Sequence, residues 1–248
     1  FRFGFQMSGF LFVGYLVQVG LWRWIFISIG TMILVAGTIM YLKIKEPRRG
    51  AQREELQEVI EKEIDYDYKM DKEHMKQTML SKTNLIALIE GIFTSIYLGS
   101  LTILFLPYIQ TSPHNISPFS TGVFLAIFGL SGGILGQVFL ARLSDELSQE
   151  KHVRRIFFIA ISLSVGMLTF VALFFIPIPH LSVEEGRDLT LFISFPAVWI
   201  MGLMYMLSQS FSALYNVNQP PILHDINLPE AQGQIVSWNR FLETIAWG

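Results

Sequence analysis

IFFIAISLSVGMLTFVALFFIPI, residues 156–178, runs for 23 positions without a charged side chain. As a helix it rises about 34 Å, enough to cross the roughly 30 Å hydrocarbon core of a bilayer. Arg154 and Arg155 stand just before it, and the next residue after it is Pro179. Working outward in both directions, comparable runs occur at Phe3–Leu21, Trp24–Leu42, Leu85–Ile109, Phe119–Ala141 and Leu189–Tyr215, with a seventh opening at Ile235. Seven such runs predict an all-α fold, a polytopic transmembrane helical bundle.

The rest of the composition agrees. Hydrophobic residues make up 52% of the chain and charged ones 15%, with 21 Phe and a mean hydropathy of +0.46. A soluble domain has no place for that much apolar surface. The absence of cysteine excludes disulfides, thiolate zinc sites and thiol nucleophiles. The five histidines, His74, His114, His152, His180 and His224, are scattered and form no HExxH pair. No initiator Met or leader precedes Phe1, and the last run is still helical in pattern at Gly248. The expectation is a bundle truncated at both ends, part of a longer parent.

Orientation follows from lysine and arginine. Segment 43–83 carries ten of them, and segment 142–155 carries Arg142, Lys151, Arg154 and Arg155, so both are predicted cytoplasmic. Stretch 110–118 has none, and 179–188 has only Arg187 beside Glu184, Glu185 and Asp188, so both are predicted external. Loop 216–233 is then cytoplasmic by parity alone, since it has no basic residue. Within the long polar connection, Leu56, Val59, Ile60 and Ile64 fall on one face of a prospective surface helix, Arg53–Ile64; a solvated linker is the competing reading.

A few polar residues interrupt the apolar runs. Glu90 lies a little over a turn inside the third run, where an unpaired carboxylate costs several kcal/mol or takes up a proton. Thr94 and Tyr97 follow at helical spacing on the same face. Glu90 is therefore a proton-coupling candidate or a structural carboxylate paired near the interface. Tyr205, Gln209, Ser212 and Asn216 form one polar face of the sixth run, suited to a water-filled cavity or to helix association. Arg240 and Glu243, three apart beside Asn239, suit an internal ion pair, with a substrate contact as the alternative. Gly129, Gly132, Gly133 and Gly136 make two overlapping GxxxG frames, a packing signal and not a phosphate loop. Asn115-Ile116-Ser117 is a glycosylation sequon on a predicted external loop, very close to the membrane.

Three stretches together resemble the major facilitator superfamily of secondary transporters. Gly20-Leu-Trp-Arg-Trp-Ile-Phe26, a span, and Lys45-Glu-Pro-Arg-Arg-Gly50 look like its sixth helix with the cytoplasmic exit. Ala141-Arg-Leu-Ser-Asp145 ahead of Lys151, Arg154 and Arg155 resembles the loop between helices eight and nine. Pro220-Pro221 and Leu228-Pro-Glu-Ala-Gln-Gly233 resemble the approach to helix eleven. The central exit and Gly99-Ser100-Leu101 lean toward the spinster-like lipid transporters. The pattern is incomplete: Ala141 replaces a glycine, Glu146 a basic residue and Gln232 an arginine, and the inner glycine of the second motif is absent.

The resemblance implies helices five to eleven, arranged as residues 1–44, the last two helices of an N-terminal half; 45–83, a central cytoplasmic loop; and 84–248, an incomplete C-terminal half. It implies alternating access around a central cavity, with helices seven and ten on this side and helices one to four of the parent opposite. Asp145, Arg142, Arg154 and Arg155 would form a conformational latch, with Arg2 as a prospective partner of Asp145. The implied partners are the lipid bilayer, a small-molecule substrate, small or amphipathic, and protons. The implied place is a plasma or inner membrane, with no nucleic acid and no cofactor. An enzyme is disfavoured by the lack of paired acids, a histidine cluster or a nucleophile elbow. A seven-helix receptor binding ligand without flux is the alternative, and it leaves the long central loop unexplained.

Overall fold

The computed structural model describes residues 2–43, 72–149, 151, 153–227 and 229–247, with the side chains at 2–8, 72, 74, 101, 102, 229 and 230 outside that description. The prospective surface helix at 53–64 and the exit motif at 45–50 therefore lie outside the described residues. Among those described, all regular structure is helical: α1 (Arg2–Gln18), α2 (Arg23–Lys43), a short α3 (Lys72–Met79), α4 (Lys82–Gln110), α5 (Pro118–Ser148), α6 (Arg154–Leu173), a short α7 (Leu189–Ser194), α8 (Pro196–Asp225) and α9 (Pro229–Trp247). Helices α2, α4, α5, α6 and α8 are long and apolar enough to span a bilayer. The chain is an integral, multi-pass membrane protein, as its hydropathy predicts.

Local chemistry sets several helix ends. Ser81 caps α4 by accepting from the Asn84 N–H, and Ser117 caps α5 ahead of Pro118, a residue suited to a first helical turn. Asp188 caps α7 through the Thr190 and Leu191 N–H groups at 2.9 and 3.1 Å.

Several boundaries differ from the sequence expectation: α6 ends at Leu173, five residues before the run 156–178 does, and α5 continues past Ala141 to Ser148. The run Leu189–Tyr215 is broken at Phe195, which is extended because Pro196 disfavours helix in the residue before it. Helix α8 then continues through Pro220 and Pro221 to Asp225, so most of the expected loop 216–233 is helix. Hydropathy could not find that extension, because polar residues end the apolar run while the helix goes on.

Helix α8 is the centre of the packing, with α5 and α6 against it; α4 lies along α9; α1 packs on the first half of α5, most densely at Pro118–Phe124. Close approach of α5 and α8 depends on one of the two GxxxG frames. A Cβ at Gly132 would fall 2.4 Å from the Met206 carbonyl oxygen, and one at Gly136 would fall 2.2 Å from that of Ser210. Wide π-type turns at Leu125–Gly129 and Leu135–Leu140 bracket this contact. Toward the end predicted external, Phe105, Phe124, Phe128, Phe192 and Tyr205 form a buried aromatic cluster, in which Phe105 stacks on Tyr205 at 4.9 Å.

The two loops predicted external cover one another. Ser117 N–H donates to the Gly186 carbonyl at 2.9 Å, and Asn115 Nδ2 donates to the Leu181 carbonyl at 2.7 Å. The sequon asparagine is thus held inside the loop contact, and the Ser117 hydroxyl is buried as the α5 cap.

Candidate functional site

Where α4, α8 and α9 meet, they bring their polar residues together. Glu243 of α9 is 7% exposed and fully engaged. Its Oε1 accepts from Gln219 Nε2 at 2.6 Å and Asn239 Nδ2 at 2.7 Å, and its Oε2 accepts from Arg240 Nη1 at 2.7 Å. Two amide donors and a guanidinium satisfy this carboxylate as an anion. The intramembrane ion pair expected from the i,i+3 spacing is present, with Arg240 half-exposed at 51%.

Glu90 of α4 has different company. Thr94 Oγ1 donates to its Oε1 at 2.6 Å and the Tyr215 hydroxyl donates to its Oε2 at 3.3 Å. No basic side chain bonds to it among the described residues. With both glutamates ionised, Glu90, Glu243 and Arg240 carry a net charge of -1. An uncompensated charge is costly in a medium of low dielectric. The cluster is also rich in acceptors. The Gln219 and Asn239 side chains must turn their NH₂ groups to Glu243, and their oxygens are left buried without a donor among the described residues. Gly91 makes this crowding possible: a Cβ there would stand 2.8 Å from Asn239 Oδ1 and 3.1 Å from Glu243 Oε1.

Beside the cluster opens a cavity of about 350 Å³. Gln209, Ser212, Tyr215 and Asn216 of α8 form one wall, Ser95 and Leu98 of α4 another, and Arg240, Glu243, Thr244 and Trp247 of α9 a third. Glu90 and Thr94 lie behind Tyr215 and are not part of its lining. Tyr215 therefore touches both the cavity and Glu90.

Two residues expected on these polar faces are placed elsewhere. Tyr205, one turn from Gln209, packs in the aromatic cluster, and Tyr97 packs edge-on against Phe170 of α6 with its hydroxyl next to Gly166. Helical spacing puts them on the right stripe, but the helices cross, so the stripe leaves the cavity before reaching them. Tyr215 and Gln219 were missed by sequence reasoning. Both sit within a turn of the Ser212–Asn216 stripe, but Gln219 falls beyond the end of the apolar run.

At the opposite end of α5 from its Ser117 cap, Asp145 pairs with Arg155 of α6 at 2.9 Å, closing the turn between the two helices. Arg142 pairs with Glu146 on its own helix at 2.8 Å, and Arg154 Nη1 donates to the Leu147 carbonyl at 2.6 Å. The Arg2 side chain, expected as a partner of Asp145, lies outside the described residues. Nearby, Asn84 of α4 and Asn227, just past α8, exchange two buried amide hydrogen bonds.

The family model described as Major Facilitator Superfamily matches residues 1–248. No curated protein matches the chain. No solved structure matches it.

Proposed function

Because the chain belongs to the major facilitator superfamily, a family of secondary transporters, we propose that it moves a small or amphipathic solute by alternating access, coupled to protons through Glu90. The carrying observation is the unequal treatment of two neighbouring carboxylates. Among the described residues, Glu243 has a guanidinium and two amide donors, whereas Glu90 has two hydroxyl donors and no cation. A proton on Glu90 brings the cluster to neutrality and adds an O–H donor among surplus acceptors. Of the two carboxylates, Glu90 is thus the one whose charge is worth cancelling in lipid.

In this reading, residues 1–44 and 84–248 belong to the two halves of the transporter, joined by the 45–83 loop, and the cavity between α4, α8 and α9 is one wall of the solute path. The contacts around Asp145, Arg142, Arg154 and Arg155 hold one end of that path. Helices one to four of the parent, with Arg2 on the following helix, complete it from the other side.

The test is Glu90→Gln in the full-length protein reconstituted in liposomes. Uptake driven by a pH gradient should be abolished while exchange of labelled for unlabelled solute continues, since the amide imitates the neutral acid. Undiminished pH-driven uptake would discard the proton role, and ligand binding without any flux would discard transport.

A further inference from the structure

We propose that the cavity between α4, α8 and α9 selects an organic anion, a carboxylate or phosphate monoester on an apolar or aromatic body, which Arg240 grips. The proposal rests on the transport reading only for its consequence; the binding site is argued from the lining alone.

Among the described lining residues, the charged group with hydrogen-bonding capacity left for a solute is Arg240. Glu243 reaches its edge but is 8% exposed, with both oxygens already occupied. Glu90 is screened by Tyr215. Arg240, in contrast, is 51% exposed and spends one Nη1 N–H on Glu243. A guanidinium has five N–H donors in a planar fork, and that fork matches a carboxylate or phosphate in bidentate fashion. A cationic solute would meet this guanidinium and, among the described lining residues, no free carboxylate.

The remaining lining describes the rest of the molecule. Ser212, Gln209 and Asn216 are neutral hydrogen-bonding groups, suited to orienting a polar head without adding charge. Leu98 and Trp247 supply apolar lining. Trp247 is seated by the absence of a side chain at Gly99, where a Cβ would fall 1.9 Å from the indole Cδ1.

Charge also links this site to Glu90. Glu90 is bonded by Thr94 on its own helix and by Tyr215 on α8, and Glu243 of α9 is its charged neighbour, with Gln219 and Asn239 beside the adjoining Gly91. With Glu90 ionised the cluster is already at net -1 and opposes an incoming anion; with Glu90 protonated that opposition is gone. Anion and proton then favour each other's binding, which is the requirement for carrying both in the same direction.

The experiment is equilibrium binding to the full-length protein in lipid nanodiscs, using indole-3-acetate, phenyl phosphate and tryptamine; the first and last share a ring system and differ in charge. At least one anion should bind, about tenfold or more tighter than tryptamine, and tighter at pH 5.5 than at pH 8. Arg240→Gln should weaken the anion about tenfold or more. Because that change also strips Glu243 of its partner, the charge-neutral pair Arg240→Gln with Glu243→Gln is the control, and it should lose the anion equally. Tryptamine binding as well as indole-3-acetate, neither anion binding, or the double variant retaining the anion would each overturn the inference. Anion binding without flux would instead sink the transport reading and leave this one standing. Proton-driven flux of other solutes with no anion bound would sink this one alone.

Discussion

Tyr215 joins the cavity to Glu90: its ring lines the open space while its hydroxyl donates to Glu90 Oε2 at 3.3 Å. Under the proposed coupling, it is a contact through which a solute would influence that carboxylate. Tyr215→Phe removes the hydroxyl and keeps the ring. The ratio of pH-driven uptake to solute exchange should fall about tenfold, the scale of one hydrogen bond to a charged group. An unaltered ratio would show that Glu90 communicates by another route.

Asn84 and Asn227 bond reciprocally at 2.7 and 2.8 Å, and both are buried. Replacing either with Leu strands the other amide, at a cost of about 1–3 kcal/mol. Replacing both leaves fewer orphaned groups, so the double variant should recover much of that loss. Thermal unfolding of the four proteins of this cycle in one detergent measures it; losses that simply add would show the pair to be uncoupled.

Glycine positions separate into crowded and open. Gly136→Ala would drive a methyl toward the Ser210 carbonyl oxygen and Ala213 Cβ, so α5 and α8 must move apart, at about 1–3 kcal/mol. Gly37→Ala in α2 meets nothing within 4 Å and should be neutral or stabilising. Equal melting temperatures for the two variants would contradict the packing described.

The sequon at Asn115 should stay unmodified even in a host that glycosylates. Its amide nitrogen is committed to the Leu181 carbonyl, and its Ser117 partner is buried in a helix cap. Intact mass after expression in such a host should equal the polypeptide mass. A glycan at Asn115 would mean that the loop contact opens during synthesis.

Glu185 and Ser182 cap each other, with Ser182 N–H on Glu185 Oε2 at 2.7 Å and Glu185 N–H on Ser182 Oγ at 3.2 Å. The backbone N–H and the hydroxyl of Ser182 hold the Glu185 carboxyl below its ordinary value of about 4.5. A folded value lower than the unfolded one adds stability that is present above 4.5 and lost as pH falls through the depressed value. Amide exchange at Ser182 should therefore stay slow at pH 6 and accelerate below pH 4 beyond the intrinsic trend. Glu185→Gln should show no such acceleration; a wild-type profile in that variant would assign the effect elsewhere.

Much of the bundle was legible in advance because crossing a bilayer is a local property. An uncharged run such as 156–178 announces a span from its own residues. The Arg240–Glu243 pair was legible for the same reason, since three residues of helix fix its geometry. Helix α8 was not, because apolar content ends near Tyr215 while the backbone continues through two prolines to Asp225.

The sequence by itself determined that this is a helical membrane protein, and that Glu90, Arg240 and Glu243 interrupt its apolar runs. Only the tertiary structure decided which of them meet. Glu90, Tyr215 and Glu243 stand on three helices, up to 153 positions apart in the chain. They become neighbours because Gly91 lets α4 come close to α9 and because α8 runs past its apolar stretch. Helical periodicity places a residue on a stripe, but the crossing of helices decides where that stripe meets a partner. Gln209 and Tyr205 therefore share a face, yet one lines a cavity and the other lies under Phe105.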